Sequence, residues 1–179
     1  SAKASDQQVE VWLEQNGYKR PWVVRYGEWL GGAVRGDFGN STRFRAPVAE
    51  VLLPRLALTG ILMFWVMVVM VPGALLIGVL AGMREGSKTD RALSTIAIAG
   101  TSTPEYVSGV VLTVIFASKM VGLQWFSGSA TSAAETGPTF YNFTLPVLTI
   151  AIYGMGYIAR MTRASMAEVM TQQYIRTAR

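Results

Sequence analysis

Glu105 is the one carboxylate set inside an apolar region of this chain, directly after Pro104 and three residues beyond Ser102. A charge at membrane depth is costly and marks a candidate substrate path. The same S-x-x-E spacing, with proline in the first turn, also reads as a helix start whose free N–H groups favour a carboxylate. Both roles stay open for Pro104 and Glu105: helix capping, or a position on a gate or substrate path. A cationic candidate lies at the other end of the chain. Arg176 and Arg179 are three apart and share a helix face, from which they could enter a partner's groove or anchor to lipid headgroups.

Composition excludes most other chemistry. Histidine and cysteine are both absent, which removes disulfides, thiolate or imidazole metal sites and every Ser–His or Cys–His pair. The eleven acidic residues are too scattered to suggest a carboxylate cluster for a metal. No G-x-x-x-x-G-K-[ST] loop is present, so any ATP-driven work needs an ATPase on another polypeptide. No catalytic residue, cofactor or metal site is therefore expected, and an intramembrane enzyme lacks its nucleophile–base pair or paired acid.

The elements that must position these residues belong to a membrane. Leu56 to Met83 is 28 residues without a charge, where roughly 20 apolar residues suffice to cross the hydrocarbon core. Pro72-Gly73 near its middle predicts a kink rather than a break, since neighbouring helices can satisfy the freed backbone. Ala92 to Gly100 is apolar but too short to span, and is expected at the interface or against the first span. A second span is expected from about Thr103 to Val121, opened by the Ser102–Glu105 capping box. A third runs from Leu145 to about Met161, where Gly154 and Gly156 allow close approach by another helix. From Thr162 the pattern predicts a polar helix continuing to Arg179. Ahead of the spans, Asp6 to Gln15 fits a helix with Val9, Trp12 and Leu13 on one face and Gly17 as its stop. Pro21 suits the first turn of another, whose Trp22, Tyr26, Trp29, Leu30 and Ala33 form an aromatic-rich face. That face either sits at headgroup level or closes the core of a small extramembrane domain.

Charge sets the orientation. The segment Arg84–Arg91 holds three basic residues and Arg160–Arg179 four, whereas Lys119–Phe143 holds one. The positive-inside rule then places residues 84–91 and 162–179 in the cytoplasm and residues 1–55 and 119–143 outside. The outer region's eight basic residues are balanced by six acidic ones. The net charge of +5 lies at the edges of apolar segments and not in a basic stripe, which argues against nucleic acid. The chain opens on Ser1-Ala2-Lys3 and stops on Arg179 within a polar stretch, as expected of a piece cut at both ends.

Four segments are more specific: WLGGAVRGDFGNS from Trp29, PVAEVLLPRL from Pro47, STPEYVSGVVLTVIFA from Ser102, and LPVLTIAIYGMGYIARMTRASMAEVMTQQYIRTAR from Leu145. With them the chain, from about Val11 to its end, resembles the peptide- and nickel-type permease subunits of bacterial ATP-binding-cassette importers, the oligopeptide/dipeptide permease B group. The resemblance implies an all-α membrane protein: a type I importer transmembrane domain of which about three spans are present, following extracytoplasmic amphipathic helices. The division would be 1–55 outside and 56–179 within the incomplete transmembrane domain. Such a subunit has six spans, so one before this chain and two after it would be missing. It would sit in the bacterial inner membrane and pair with a second homologous permease. Two ATP-binding subunits would drive it, and an extracytoplasmic binding protein would deliver substrate, most simply short peptides. Relatives of this kind also handle nickel chelates, opines and some oligosaccharides, and a membrane scaffold without transport is a further alternative. The resemblance puts the start of the ATPase-coupling helix at Tyr174, Arg176, Thr177, Ala178 and Arg179. In the family that helix continues through Ala-Lys-Gly, so this stretch alone is not expected to couple.

Overall fold

The structure, a computed structural model, describes residues 6–15, 17–119, 123–130, 133–173 and 175. Among them the chain is helical, with no strand and one isolated bridge between Asn40 and Pro47. It divides into two compact units, Ser1–Leu56 and Ala57–Arg179.

In the first unit, α1 (Asp6–Gln15) stops as its sequence predicts. Gly17 adopts φ 70°, a left-handed value that costs glycine nothing. Its N–H reaches the Glu14 carbonyl at 3.0 Å, and the Tyr18 N–H reaches Leu13 at 2.8 Å. Tyr18 then stacks on Trp12 with centroids 5.4 Å apart, and the Arg25 guanidinium lies 4.2 Å from the Tyr18 ring centre. Helix α2 (Trp22–Val34) begins one residue after Pro21, which occupies the N-cap rather than the first turn. Neither helix buries a residue, and Trp22 keeps 76% of its surface exposed. Among the described residues of its own unit, the aromatic face of α2 therefore closes no core. The glycines of the Gly-Asp-Phe-Gly stretch serve the backbone, with Gly36 and Gly39 at φ 87° and 75°.

Helix α3 (Val48–Met83) runs 36 residues and stays continuous through Pro72-Gly73. It starts eight residues before the charge-free run, because Arg55 ends an apolar stretch without ending a helix. Helices α4 (Lys88–Ser102), α5 (Glu105–Phe116) and the short α6 (Ala133–Thr136) lead to α7 (Phe140–Met170). Helix α7 is 31 residues long, and its start is fixed by a capping box. The Thr139 hydroxyl accepts from the Asn142 N–H at 3.3 Å, while the Asn142 side chain accepts from the Thr139 N–H at 2.7 Å.

Three expected extents are corrected. The Ser102–Glu105 box does not form, because Ser102 is the last residue of α4 and Pro104 is the N-cap of α5 without a side-chain cap bond. Thr103, which precedes proline and is disfavoured in the α region, turns extended at ψ 121°. Helix α5 has only 12 residues and closes at Ala117, whose N–H bonds the Thr113 carbonyl. At 1.5 Å per residue it covers about 18 Å, well short of a ~30 Å hydrocarbon core. Among the described residues two helices, α3 and α7, are long and apolar enough to cross a membrane by themselves, and α5 is a shorter apolar helix. Finally, α7 stops at Met170, where the Thr171 N–H and hydroxyl both turn back to Glu168. The polar helix after Thr162 is thus interrupted at Thr171, and Tyr174 and residues 176–179 lie outside the described residues.

Small residues carry the packing around α7. Ala74 of α3, Ala97 of α4 and Ala159 of α7 form the buried cluster, flanked by Ile77, Met155 and Ile158. Gly156 presses its backbone against the Ala97 carbonyl, and Gly154 against the Met70 sulfur, as the glycines of the third span predict. On α3, a Cβ at Gly78 would stand 2.7 Å from the Ala159 oxygen, and one at Gly82 would stand 2.8 Å from the Arg163 oxygen. Helix α4 accordingly packs mainly on α7, and the α4 alanine also meets the first span.

These contacts make a contrast that can be measured. Gly156→Ala meets a backbone carbonyl that cannot step aside, and should destabilise the full-length subunit by about 1–3 kcal/mol. Gly60→Ala enters open space on the same domain, and should stabilise by up to about 1 kcal/mol through helix propensity. Thermal unfolding of the two purified variants in detergent checks the opposite signs.

Candidate functional site at the α3–α4 turn

After Met83 the chain reverses through Arg84–Ser87, with the Ser87 N–H on the Arg84 carbonyl at 3.0 Å and Gly86 at φ 77°. Ser87 caps α4, its hydroxyl accepting from the Asp90 N–H at 3.1 Å. That places the Asp90 side chain over the turn. One carboxylate oxygen accepts from the Gly86 N–H at 2.9 Å, and the other from the Ser94 hydroxyl at 3.1 Å. Arg163, 73 residues away on α7, completes the set with a fork: Nε to Oδ1 at 2.5 Å and Nη2 to Oδ2 at 2.7 Å. Glu85 adds a looser contact to Arg163 at 3.9 Å. Asp90 is only 3% exposed, so a bidentate partner and two further donors are what make its charge tolerable there.

The electrostatics follow from those contacts. The Arg163 hydrogen bonds hold the Asp90 carboxyl well below the usual carboxylate range, the Gly86 N–H lowers it further, and burial opposes them in part. The Asp90 hydrogen bond in turn raises the Arg163 guanidinium above its ordinary value. The pair is a fixed dipole at working pH and not an acid–base couple.

The sequence-predicted residues fall elsewhere. Pro104 and Glu105 stand together and exposed at the break between α4 and α5. There Glu105 has the first-turn position that a helix N-terminus favours for a carboxylate. Thr101 and Thr103 close the end of α4 by donating to carbonyls one turn back, Thr103 to Ala99 at 3.0 Å. Tyr174, Arg176, Thr177, Ala178 and Arg179 lie outside the described residues. Asp90 was missed by sequence reasoning, although Ser87-x-x-Asp90 beside a glycine is a legible cap. Arg163 entered only as one of the four basic residues of Arg160–Arg179. No group of three or more acidic residues able to hold a metal occurs among the described residues. An apolar groove of about 450 Å³ lies between α3 and the start of α7, lined by Ile61, Trp65, Phe140, Phe143 and Thr144 among others. Its lining offers the hydroxyls of Thr139 and Thr144 but no charge.

Two long apolar helices, a broken helix pair packed on one of them and a polar clamp beyond the apolar stretch describe a helical membrane domain. Residues 74–179 match the family described as binding-protein-dependent transport system inner membrane component. The chain belongs to that family, whose domain is the transmembrane part of type I ATP-binding-cassette importers. Among similar proteins is a probable peptide ABC transporter permease of Sinorhizobium fredii, 34% identical over 98% of this chain and 56% of its own length. The oligopeptide transport system permease AppB of Bacillus subtilis is 34% identical over 99% of this chain and 57% of its own. The glutathione transport system permease GsiC of Escherichia coli is 32% identical over 99% and 55%. The chain spans about half the length of the curated relatives it matches.

The depressed Asp90 value has a defined consequence for stability. A group lowered on folding contributes fully above its unfolded value of about 4, and its contribution is lost as pH falls through the folded value. Asp90→Asn should therefore lower the melting temperature of the full-length subunit at neutral pH. That deficit should stay constant down to about pH 5 and shrink with further acidification. Melting curves of parent and variant across this range check it.

Proposed function

We propose that this chain is part of a permease subunit that moves short peptides inward across a bacterial inner membrane. Family membership over residues 74–179 carries the reading, and relatives named for peptide, oligopeptide and glutathione transport support the substrate class. An extracytoplasmic binding protein delivers the peptide, a second homologous permease completes the path, and two separate subunits hydrolyse ATP. The charge distribution supports residues 84–91 and 162–179 in the cytoplasm and residues 1–55 and 119–143 outside. Tyr174, Arg176, Thr177, Ala178 and Arg179 then begin the surface that meets the ATPases, and Pro104 and Glu105 lie on the gate or path. Transport proceeds by alternating access: ATP binding favours one arrangement of the helices, and its hydrolysis releases the other.

Purification of the complete subunit in mild detergent tests the assembly. A sister permease and two ATPases should co-purify, and recovery of the subunit alone from an otherwise intact complex would overturn the reading. In whole cells, Arg176→Glu in the full-length subunit should reduce uptake of a di- to pentapeptide mixture about tenfold, the scale of a typical coupling energy. Membrane insertion should stay at the parental level. Parental uptake by a well-inserted variant would remove Arg176 from the ATPase surface.

A further inference from the structure

Every ion pair among the described residues of the second unit converges on Arg163. Its partner Asp90 is held on three sides by its own turn, through Gly86, Ser87 and Ser94. The fork therefore joins two backbone segments and not two loose side chains. Arg163 lies seven residues before Met170, about two helical turns or 10 Å from the end of α7.

We propose that the Asp90–Arg163 pair is the positioning link that makes the α3–α4 turn follow the cytoplasmic end of α7. Displacement of the chain beyond Met170 is thereby delivered to α4 and to the Thr103–Pro104 break. The inference rests on the reading of that end as ATPase-facing. Around the pair the packing is close, with α3 on α7 at Gly78 and Gly82 and α4 on α7 at Gly156. At these glycines the opposing Thr162, Met166 and Thr101 side chains make van der Waals contact alone, which carries no directional bond along the helix. A bidentate fork has a fixed geometry and resists sliding. Helix α5 touches α7 at another level, where Gly109 meets Thr149. The two halves of the α4–α5 pair are thus tied to α7 at separate heights. Between them Pro104 has no N–H with which to continue the α4 ladder. Relative motion of the halves concentrates at that break, beside the exposed Glu105.

The test uses the full-length subunit with its partners, reconstituted in vesicles, and reads peptide taken up per ATP hydrolysed from a mixture of di- to pentapeptides. Asp90→Asn and Arg163→Gln should each lower that ratio about tenfold in assembled complexes. The double variant should be no worse than either single one, because both remove the same link. Asp90→Glu, which keeps the charge, should recover most of the ratio. Should Asp90→Asn fail to assemble, Arg163→Lys keeps the charge, loses the fork and carries the same expectation. An unchanged ratio in assembled variants, or losses that add in the double variant, would overturn the link. A parental complex that takes up no peptide from the mixture would instead overturn the importer reading, and the link with it.

Discussion

Close backbone approach along α7 is the constraint on which the rest of the second unit depends. Helices in a bilayer gain little from burying apolar side chains, since lipid tails are as apolar as leucine. They associate where small residues let backbones meet, and α7 meets α3 at Gly78 and Gly82 and α4 at the Ala97 carbonyl. The buried cluster is accordingly three alanines and not a set of large side chains. Many large apolar groups are turned outward instead: Met63, Phe64 and Leu76 of α3 are all about 60% exposed. In water such a surface would be an aggregation liability. In a membrane it is the ordinary exterior.

That packing dictates where a polar interaction can be used. Along the apolar part of α7, an unsatisfied charge would be expensive, and none is found buried among the described residues there. Past Arg160 the helix leaves the apolar stretch, and Arg163 can reach sideways to Asp90. The carboxylate's lone pairs are taken by the Gly86 N–H, the Ser94 hydroxyl and two guanidinium nitrogens. Replacing the pair by apolar residues of similar volume could give an equally stable contact. It would not hold α4 at a fixed height along α7.

The membrane class, both long helices, the Gly17 stop and the close approach at Gly154 and Gly156 were legible in sequence, because each depends on local composition or spacing. Helix ends were less so. The Ser102–Glu105 pattern satisfied the capping rule, yet Pro104 biased Thr103 out of the helix and gave the N-cap to proline itself. The cap that does form, Thr139 with Asn142, uses asparagine where the rule looks for glutamate or glutamine. Hydropathy draws the expected second span on to Val121, which lies outside the described residues, and does not register that α5 closes at Ala117. Asp90 escaped because its role is set by a partner 73 residues away, and periodicity holds no information at that range.

Glu105 and Asp90 show how poorly acidity alone ranks candidate sites. Glu105 stands out in sequence because its neighbours are apolar, yet it is exposed in a first helical turn. Asp90 is inconspicuous among Arg84, Lys88 and Arg91, where the positive-inside pattern accounts for every charge. Only the fold separates them. One is an exposed charge at the break between α4 and α5, and the other is a buried charge forked to Arg163 where α4 meets α7. In the link proposed above, the junction carries displacement and the break is where it would change the path. In this chain the 15 residues of α4 connect them, so the helix too short to span a membrane is the element that relates the two ends.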